Sequence, residues 1–175
     1  MNWITDFKEN AGYRIDENTR MIEIAIAKLE THCHPEPAEG QIWQRPNGVS
    51  NSIGNQILHL CGNMTQYVIA SLGEEADTRV REVEFATSEG FSQSELLNKL
   101  HETVDRVKNT IENATEEQLL KKRSVQGFSF SGMGCVLHVV EHYSYHTGQI
   151  AFWVKQLTNT SLGFYDGTDL NELNN

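Results

Sequence analysis

The stretch from Leu137 to Val154 constrains the fold of this chain more than any other. It contains no proline, is rich in apolar and aromatic residues, and carries His138, His142 and His146 at four-residue spacing. At about 3.6 residues per turn, residues four apart lie above one another on a helix, so the three imidazoles form one stripe. The rest of the segment is apolar on nearly every side, which predicts a buried helix. Buried imidazoles need hydrogen bonds or a metal ion as partners.

Three further long helices are predicted from apolar periodicity and from residues that cap helix ends. They run from Trp3 to about Thr31, from the Ser50–Ser52 stretch to Gly73, and onwards from Ser92, which can form a capping box with Glu95. Residues 73–90 form a long connection with room for one short element, and residues 123–134 are predicted to be an extended piece or a hairpin. A length of 175 residues with 38% hydrophobic residues suits one core. The chain, 1–175, is therefore predicted to be a single all-α domain, a four-helix bundle with a long connection between its second and third helices.

Charge and composition exclude several classes of partner. The formal net charge of −10 makes nucleic acid a poor partner. The sequence begins without a basic segment followed by an apolar one and has no apolar span of about 18 residues, so we expect no membrane segment and a cytoplasmic location. Cys33, Cys61 and Cys135 are odd in number and form no CxxC pair, which argues against a disulfide framework. We expect them to be small buried hydrophobic residues or idle thiols in a reducing compartment.

The second helix carries an unusual polar stripe. It consists of Ser52, Asn55, His59, Asn63 and Gln66, which lie within about 40° of one direction at 100° per residue. Solvent-exposed helix faces usually carry Lys and Glu, and this helix contains neither. The pattern therefore favours a functional cavity with His59 at its centre over a solvent-exposed face.

Two metal motifs compete for the histidines of the last helix. His142 and His146 alone are weak evidence, since two core histidines with hydrogen-bonding neighbours show the same spacing. His59, on another buried helix, strengthens the metal interpretation, because three imidazoles with one open position form catalytic zinc-type sites. The competing motif is HxxEH, from His138 to His142 with Glu141 as the base. It also needs an acidic ligand further along the chain, and only a short tail remains.

The other histidines suggest no site. His32 and His34 flank Cys33 at a helix end that is followed by two prolines, which favours a solvated loop over a metal site. His101 lies among charged residues on an amphipathic helix and is predicted to be exposed.

Two segments carry a resemblance to a known family. SNSIGNQILHLCGNMTQYV, which contains His59, and HVVEHYSYHTGQIAFWVKQL, which contains His142 and His146, resemble the DinB-like superfamily of damage-inducible bacterial proteins. The similarity covers roughly residues 3–157. It implies an up-down-down-up four-helix bundle, often a homodimer. It also implies that His59, His142 and His146 bind one divalent metal ion, commonly nickel or zinc.

The resemblance also bears on the surroundings of the metal. His138 matches a histidine that many relatives have without using it as a ligand, while Tyr145 and Thr147 replace a histidine and an arginine common in relatives. Metal-bound imidazoles usually donate their second N–H to an amide, a carbonyl or a carboxylate. The candidates for this outer shell are Asn55, Asn63, Gln149 and His138. We expect at least one of the three amides to reach a ligand histidine or the open coordination position.

The implied activity is a transfer reaction. Relatives include transferases and isomerases that use a low-molecular-weight thiol, so the resemblance implies a metal-dependent transferase that activates such a thiol. The lack of an evident base near the ligands favours this interpretation. The alternatives are a metal-dependent hydrolase and a non-enzymatic stress protein whose metal only stabilises the bundle. A thiol or another small-molecule substrate needs an entrance, which we expect to be walled by aromatic residues such as Tyr67, Tyr143 or Trp153.

Overall fold

The computed structural model describes residues 2–32 and 38–173 and is mostly helical. The helices are α1 (Trp3–His32), α2 (Ala38–Gln41), α3 (Ile53–Met64), α4 (Arg81–Ala86), α5 (Gln93–Asn113), α6 (Glu116–Leu120) and α7 (Gly132–Thr158). Helix α3 continues directly into a π-helix, Thr65–Leu72. Strands β1 (Lys122–Val125) and β2 (Phe128–Ser131) pair as an antiparallel hairpin.

Capping side chains explain where the long helices begin. The Ser52 hydroxyl accepts from the Asn55 backbone N–H, and the Asn55 side chain accepts from the Ser52 backbone N–H, which closes a capping box at the start of α3. Helix α5 has the predicted capping box between Ser92 and Glu95. Helix α7 begins earlier than the apolar run that predicted it, because Ser131 caps it by accepting from the Gly134 N–H.

The long helices pack around a single apolar cluster. Helix α1 packs mainly against α7, and α3 packs mainly against α5, while the π-helix bridges α5 and α7. Fully buried side chains such as Ile22 of α1, Ile57 of α3, Leu100 of α5 and Ile150 of α7 form the centre of the core. The expected helical fold is therefore present. The polar stripe of α3 faces the histidine stripe of α7 across the contact between these two helices.

The connection between α3 and α5 folds over the polar stripe. We call residues 77–87, which include α4, the covering segment. The Asn55 side-chain amide donates to the carbonyls of Glu84 and Thr87, at 2.9 and 2.6 Å, and Arg45 donates to the Phe85 carbonyl at 2.7 Å. Because these bonds hold the backbone of the covering segment, its side chains reach the middle of α3.

Within the described part of the chain, no helix combines the length and the apolar character needed to cross a membrane. Cys33 and His34, for which a solvated loop is predicted, lie outside the described residues. Cys61 and Cys135 are buried free cysteines, and burial raises the pKa of the Cys61 thiol to about 11. Both therefore fit the prediction of small buried residues.

Candidate metal centre

His59, His142 and His146 meet at one point between α3 and α7. One ring nitrogen from each lies within 4.8 Å of the others. The Nε2 atoms of His59 and His142 are 3.1 Å apart, and the His142 and His146 ring centroids are separated by 4.5 Å. His59 is 7% exposed, whereas the two histidines of α7 are half-buried. The four-residue spacing on α7 and the central position on α3 thus produce the expected juxtaposition.

The orientation of His59 is fixed by a carboxylate. Its Nδ1 lies 2.8 Å from Oε2 of Glu84 in the covering segment. Burial opposes ionisation of Glu84, but hydrogen bonds from Arg79 and His59 outweigh it and lower the pKa of this carboxyl. An ionised carboxylate only accepts hydrogen bonds, so Nδ1 of His59 donates to Glu84, while Nη2 of Arg79 lies 3.1 Å from the same nitrogen. The opposite nitrogen, Nε2, faces His142.

Arg79 and Gly62 hold the Glu84 carboxylate in place. The Arg79 guanidinium donates from Nε to Oε1 at 2.7 Å and from Nη2 to Oε2 at 2.8 Å, which is a bidentate pair. The carboxylate packs against α3 at Gly62, and a Cβ at that position would overlap Oε1 of Glu84. The missing side chain of Gly62 is therefore the space that lets Glu84 approach His59.

The two histidines of α7 are held neutral. Burial, with the neighbouring histidines, lowers the pKa of His142 to about 3. Burial and the adjacent His59 lower the pKa of His146 to about 4, although a hydrogen bond with Gln149 acts in the opposite direction. Neutral imidazole is the form that binds metals.

The residues fit a metal ion. Ligand nitrogens on one ion are about 3.0–3.4 Å apart when each bond is about 2.1 Å long, and the 3.1 Å between His59 and His142 falls within that range. The Nδ1 of His142 is buried with no hydrogen-bond partner among the described residues. The ligand nitrogens of the three histidines lie within 4.8 Å of one another, and the His59–His142 pair is at the spacing of two ligands on one ion.

The four outer-shell candidates divide into three groups. Gln149 hydrogen-bonds a ligand candidate, His146. Asn63 contacts His138, with 3.2 Å between Nδ2 and Nε2, and the His138 ring stacks at 4.0 Å on Tyr67 and at 5.5 Å on His142. Asn55 touches none of the histidines and instead anchors the covering segment. His138 lies outside the group of converging nitrogens.

The competing motifs are not assembled. Glu141 is exposed and lines a surface pocket with Tyr13 and Arg14, so it does not reach the histidines as the HxxEH motif requires. His101, which is predicted to be exposed, is half-buried on α5, and its Nε2 lies 2.6 Å from Oε1 of Glu23 on α1. Neither residue contributes to the centre.

The expectation that Tyr143 lines the entrance to the site is wrong. Its side chain is completely buried, and its hydroxyl hydrogen-bonds Thr19 of α1 at 2.9 Å. Tyr143 is adjacent to His142 in sequence, so it lies about 100° around the helix and faces α1 instead of α3. Tyr67 stacks on His138, and Trp153 lines a pocket beside His146, so the other two aromatics do lie near the histidines.

Sequence reasoning missed Glu84, Arg79 and Gln56. Oε1 of Gln56 lies 3.4 Å from Nδ1 of His146. Gln56 is on α3 but outside the polar stripe, and the other two residues lie in an acidic connection without periodicity. No local pattern identifies them, because they reach the site only through the tertiary path of the covering segment.

Comparison with known proteins identifies the family. Residues 4–164 match the family profile described as "Protein of unknown function (DUF1572)". Among solved structures, the crystal structure of a DinB-like protein from Bacillus subtilis, YjoA, is similar with a TM-score of 0.58 and 15% identity. The similarity covers 85% of this chain and 94% of that chain, and at this identity it concerns the fold alone. No curated protein matches the chain. The DinB-like resemblance is thus confirmed, and the chain belongs to the DUF1572 family, with the fold of a DinB-like protein.

Proposed function

We propose that His59, His142 and His146 bind one divalent metal ion, nickel or zinc. The observation that carries this proposal is the convergence of three imidazoles with a 3.1 Å separation between two of their Nε2 atoms. The carboxylate of Glu84 on Nδ1 of His59 supports it, because a carboxylate behind a histidine is the usual outer shell of a metal ligand. Gln149 and Gln56 play the corresponding role at His146.

We further propose that the protein is a metal-dependent transferase of a low-molecular-weight thiol. A metal ion at this point would lower the pKa of a bound thiol and so supply a thiolate nucleophile. In the transfer, a carbon–sulfur bond forms to an electrophile and the leaving group departs with the bonding electrons. The chain's own residues orient the ligands and exclude water from the His59 side. Among the described residues, the carboxylate nearest His59 is already bound by Arg79, and Glu141 faces another surface. The lack of a free base supports thiol transfer over hydrolysis.

The test is turnover of monochlorobimane with several low-molecular-weight thiols. We expect metal-loaded protein to turn over, and the His146→Ala variant to lose more than about 100-fold, since even an outer-shell partner contributes 10–100-fold. Equal rates in a folded variant would exclude the transferase. Product formation without thiol would indicate a metal-dependent hydrolase. A fall in melting temperature on chelation, without any turnover, would indicate a stress protein whose metal is structural.

Four further expectations from the sequence stay predictions. They are the up-down-down-up order of the four long helices, one domain over residues 1–175, a homodimer and a cytoplasmic location. Size-exclusion chromatography with light scattering would test the homodimer.

A further inference from the structure

A pocket of about 750 Å³ opens beside His146, between the loop of residues 46–51 and the second half of α7. Three of its lining residues touch His146. The Tyr145 ring lies 5.0 Å from the His146 ring, the Gln56 side-chain oxygen lies 3.4 Å from Nδ1, and Gln149 hydrogen-bonds the imidazole. The pocket therefore lies beside His146, although none of the three histidines is part of its lining.

The lining has an unusual composition for a protein with a net charge of −10. It contains no Lys, Arg, His, Asp or Glu. Its polar side chains are mostly amides, including Gln56, Gln149 and Gln156, and its apolar surface is mostly aromatic. Without a metal ion in the neighbouring centre, an anionic ligand would lose hydration there without gaining a cationic side chain, and the negative charge of the protein would repel it.

The aromatic residues form a wall that suits a flat ligand. Tyr145 and Phe152 are 63% and 64% exposed. The Trp153 ring is fixed, because its Nε1–H donates to the Gln44 carbonyl at 3.2 Å. Gly148 lies between these residues on α7 and a Cβ there would meet nothing within 4 Å, so the wall has an open gap. Flat rings stack on such side chains, and the amides can hydrogen-bond polar substituents.

We propose that this pocket binds an uncharged compound with a flat ring and neutral hydrogen-bonding substituents. This inference rests on the proposed function in one respect only, since it makes that compound the electrophile of the transferase. Binding to the pocket itself requires neither thiol nor turnover.

The test compares two ligands that differ in charge alone, 4-chloro-3-nitrobenzamide and 4-chloro-3-nitrobenzoate. Their affinities for the metal-free protein are measured by equilibrium dialysis at pH 7.5 without thiol, so that the benzoate cannot bind a metal ion. We expect the benzamide to bind at least about 10-fold more tightly, a difference of about 1.4 kcal/mol. The Gln156→Lys variant places a cation in the pocket and should reduce or reverse this preference. The matched control Ser144→Lys adds the same charge to α7 outside the pocket and should leave the preference unchanged.

Several outcomes would overturn the proposal. They are equal affinities, tighter binding of the benzoate, no binding of either compound, and identical responses of the two lysine variants. Occlusion of the pocket by a second copy of the chain would also overturn it, and would appear as benzamide binding only after Phe152→Asp makes the protein monomeric. None of these outcomes depends on metal content, which is measured separately, so failure here leaves the proposed metal centre intact.

Discussion

The Nδ1 atom of His59 lies 2.8 Å from Oε2 of Glu84, although 25 residues separate them in sequence. This hydrogen bond orients the His59 ring so that Nε2 faces His142. The covering segment therefore builds one side of the candidate metal centre, and it does so through Asn55, which holds its backbone.

Glu84→Gln is expected to weaken metal binding about 10–100-fold. A neutral amide accepts more weakly from Nδ1–H and no longer compensates Arg79, whose side chain is 3% exposed. The free energy of unfolding should therefore also fall, by about 3–5 kcal/mol. Competition with a chelator at a temperature where the variant is folded measures the affinity. Glu82→Gln, an exposed carboxyl on the same helix, is the control, and an equal loss there would contradict the assigned role.

Gly62→Ala tests the same contact without touching a polar group. The new methyl group displaces the Glu84 carboxylate, so we expect metal affinity to fall about 10-fold or more. Gly12→Ala on α1 is the matched control, because a Cβ there meets nothing within 4 Å. It should leave metal binding unchanged and raise the free energy of unfolding by about 0.5–1 kcal/mol. Unchanged metal affinity in Gly62→Ala would show that Glu84 does not position His59.

The parts of the site that the sequence predicts are those governed by helical spacing. His142 and His146 follow from the four-residue repeat, and His59 from a polar stripe without Lys or Glu. Glu84 and Arg79 lie in a connection whose path depends on tertiary hydrogen bonds, so periodicity gives no information about them. The π-helix after Met64 was also missed, because the wider turn leaves no pattern in composition.

Stability of the metal-free protein should fall as the solution becomes acidic. Burial lowers the pKa of His142 to about 3 and that of His146 to about 4, from an ordinary value of 6.5. As pH falls below about 6.5 the unfolded chain binds protons first, so the stability is fully present above that pH and is lost progressively towards pH 4 and 3. Urea unfolding at pH 7.5 and 5.0 checks this. The difference between the two midpoints should shrink in His142→Asn, and equal midpoints in the unmodified protein would contradict it.

Tyr143→Phe tests whether Tyr143 belongs to the core or to the candidate metal centre. The hydroxyl of Tyr143 bonds Thr19, which also donates to the Ile15 carbonyl, so removing it leaves no unpaired donor on α1. We expect a loss of about 0.5–1.5 kcal/mol in the free energy of unfolding and no change in metal affinity or turnover. A change in metal affinity would contradict this account and show that Tyr143 contributes to the site.

The most direct test of the central claim is metal content after loading with nickel or zinc and desalting, measured by inductively coupled plasma mass spectrometry. We expect one ion per chain in the unmodified protein and in His138→Ala, because His138 lies on the same helix outside the group of converging nitrogens. We expect almost none in His59→Ala, His142→Ala and His146→Ala. Equal loss of metal in His138→Ala, or full retention in any of the three other variants, would contradict the three-histidine site.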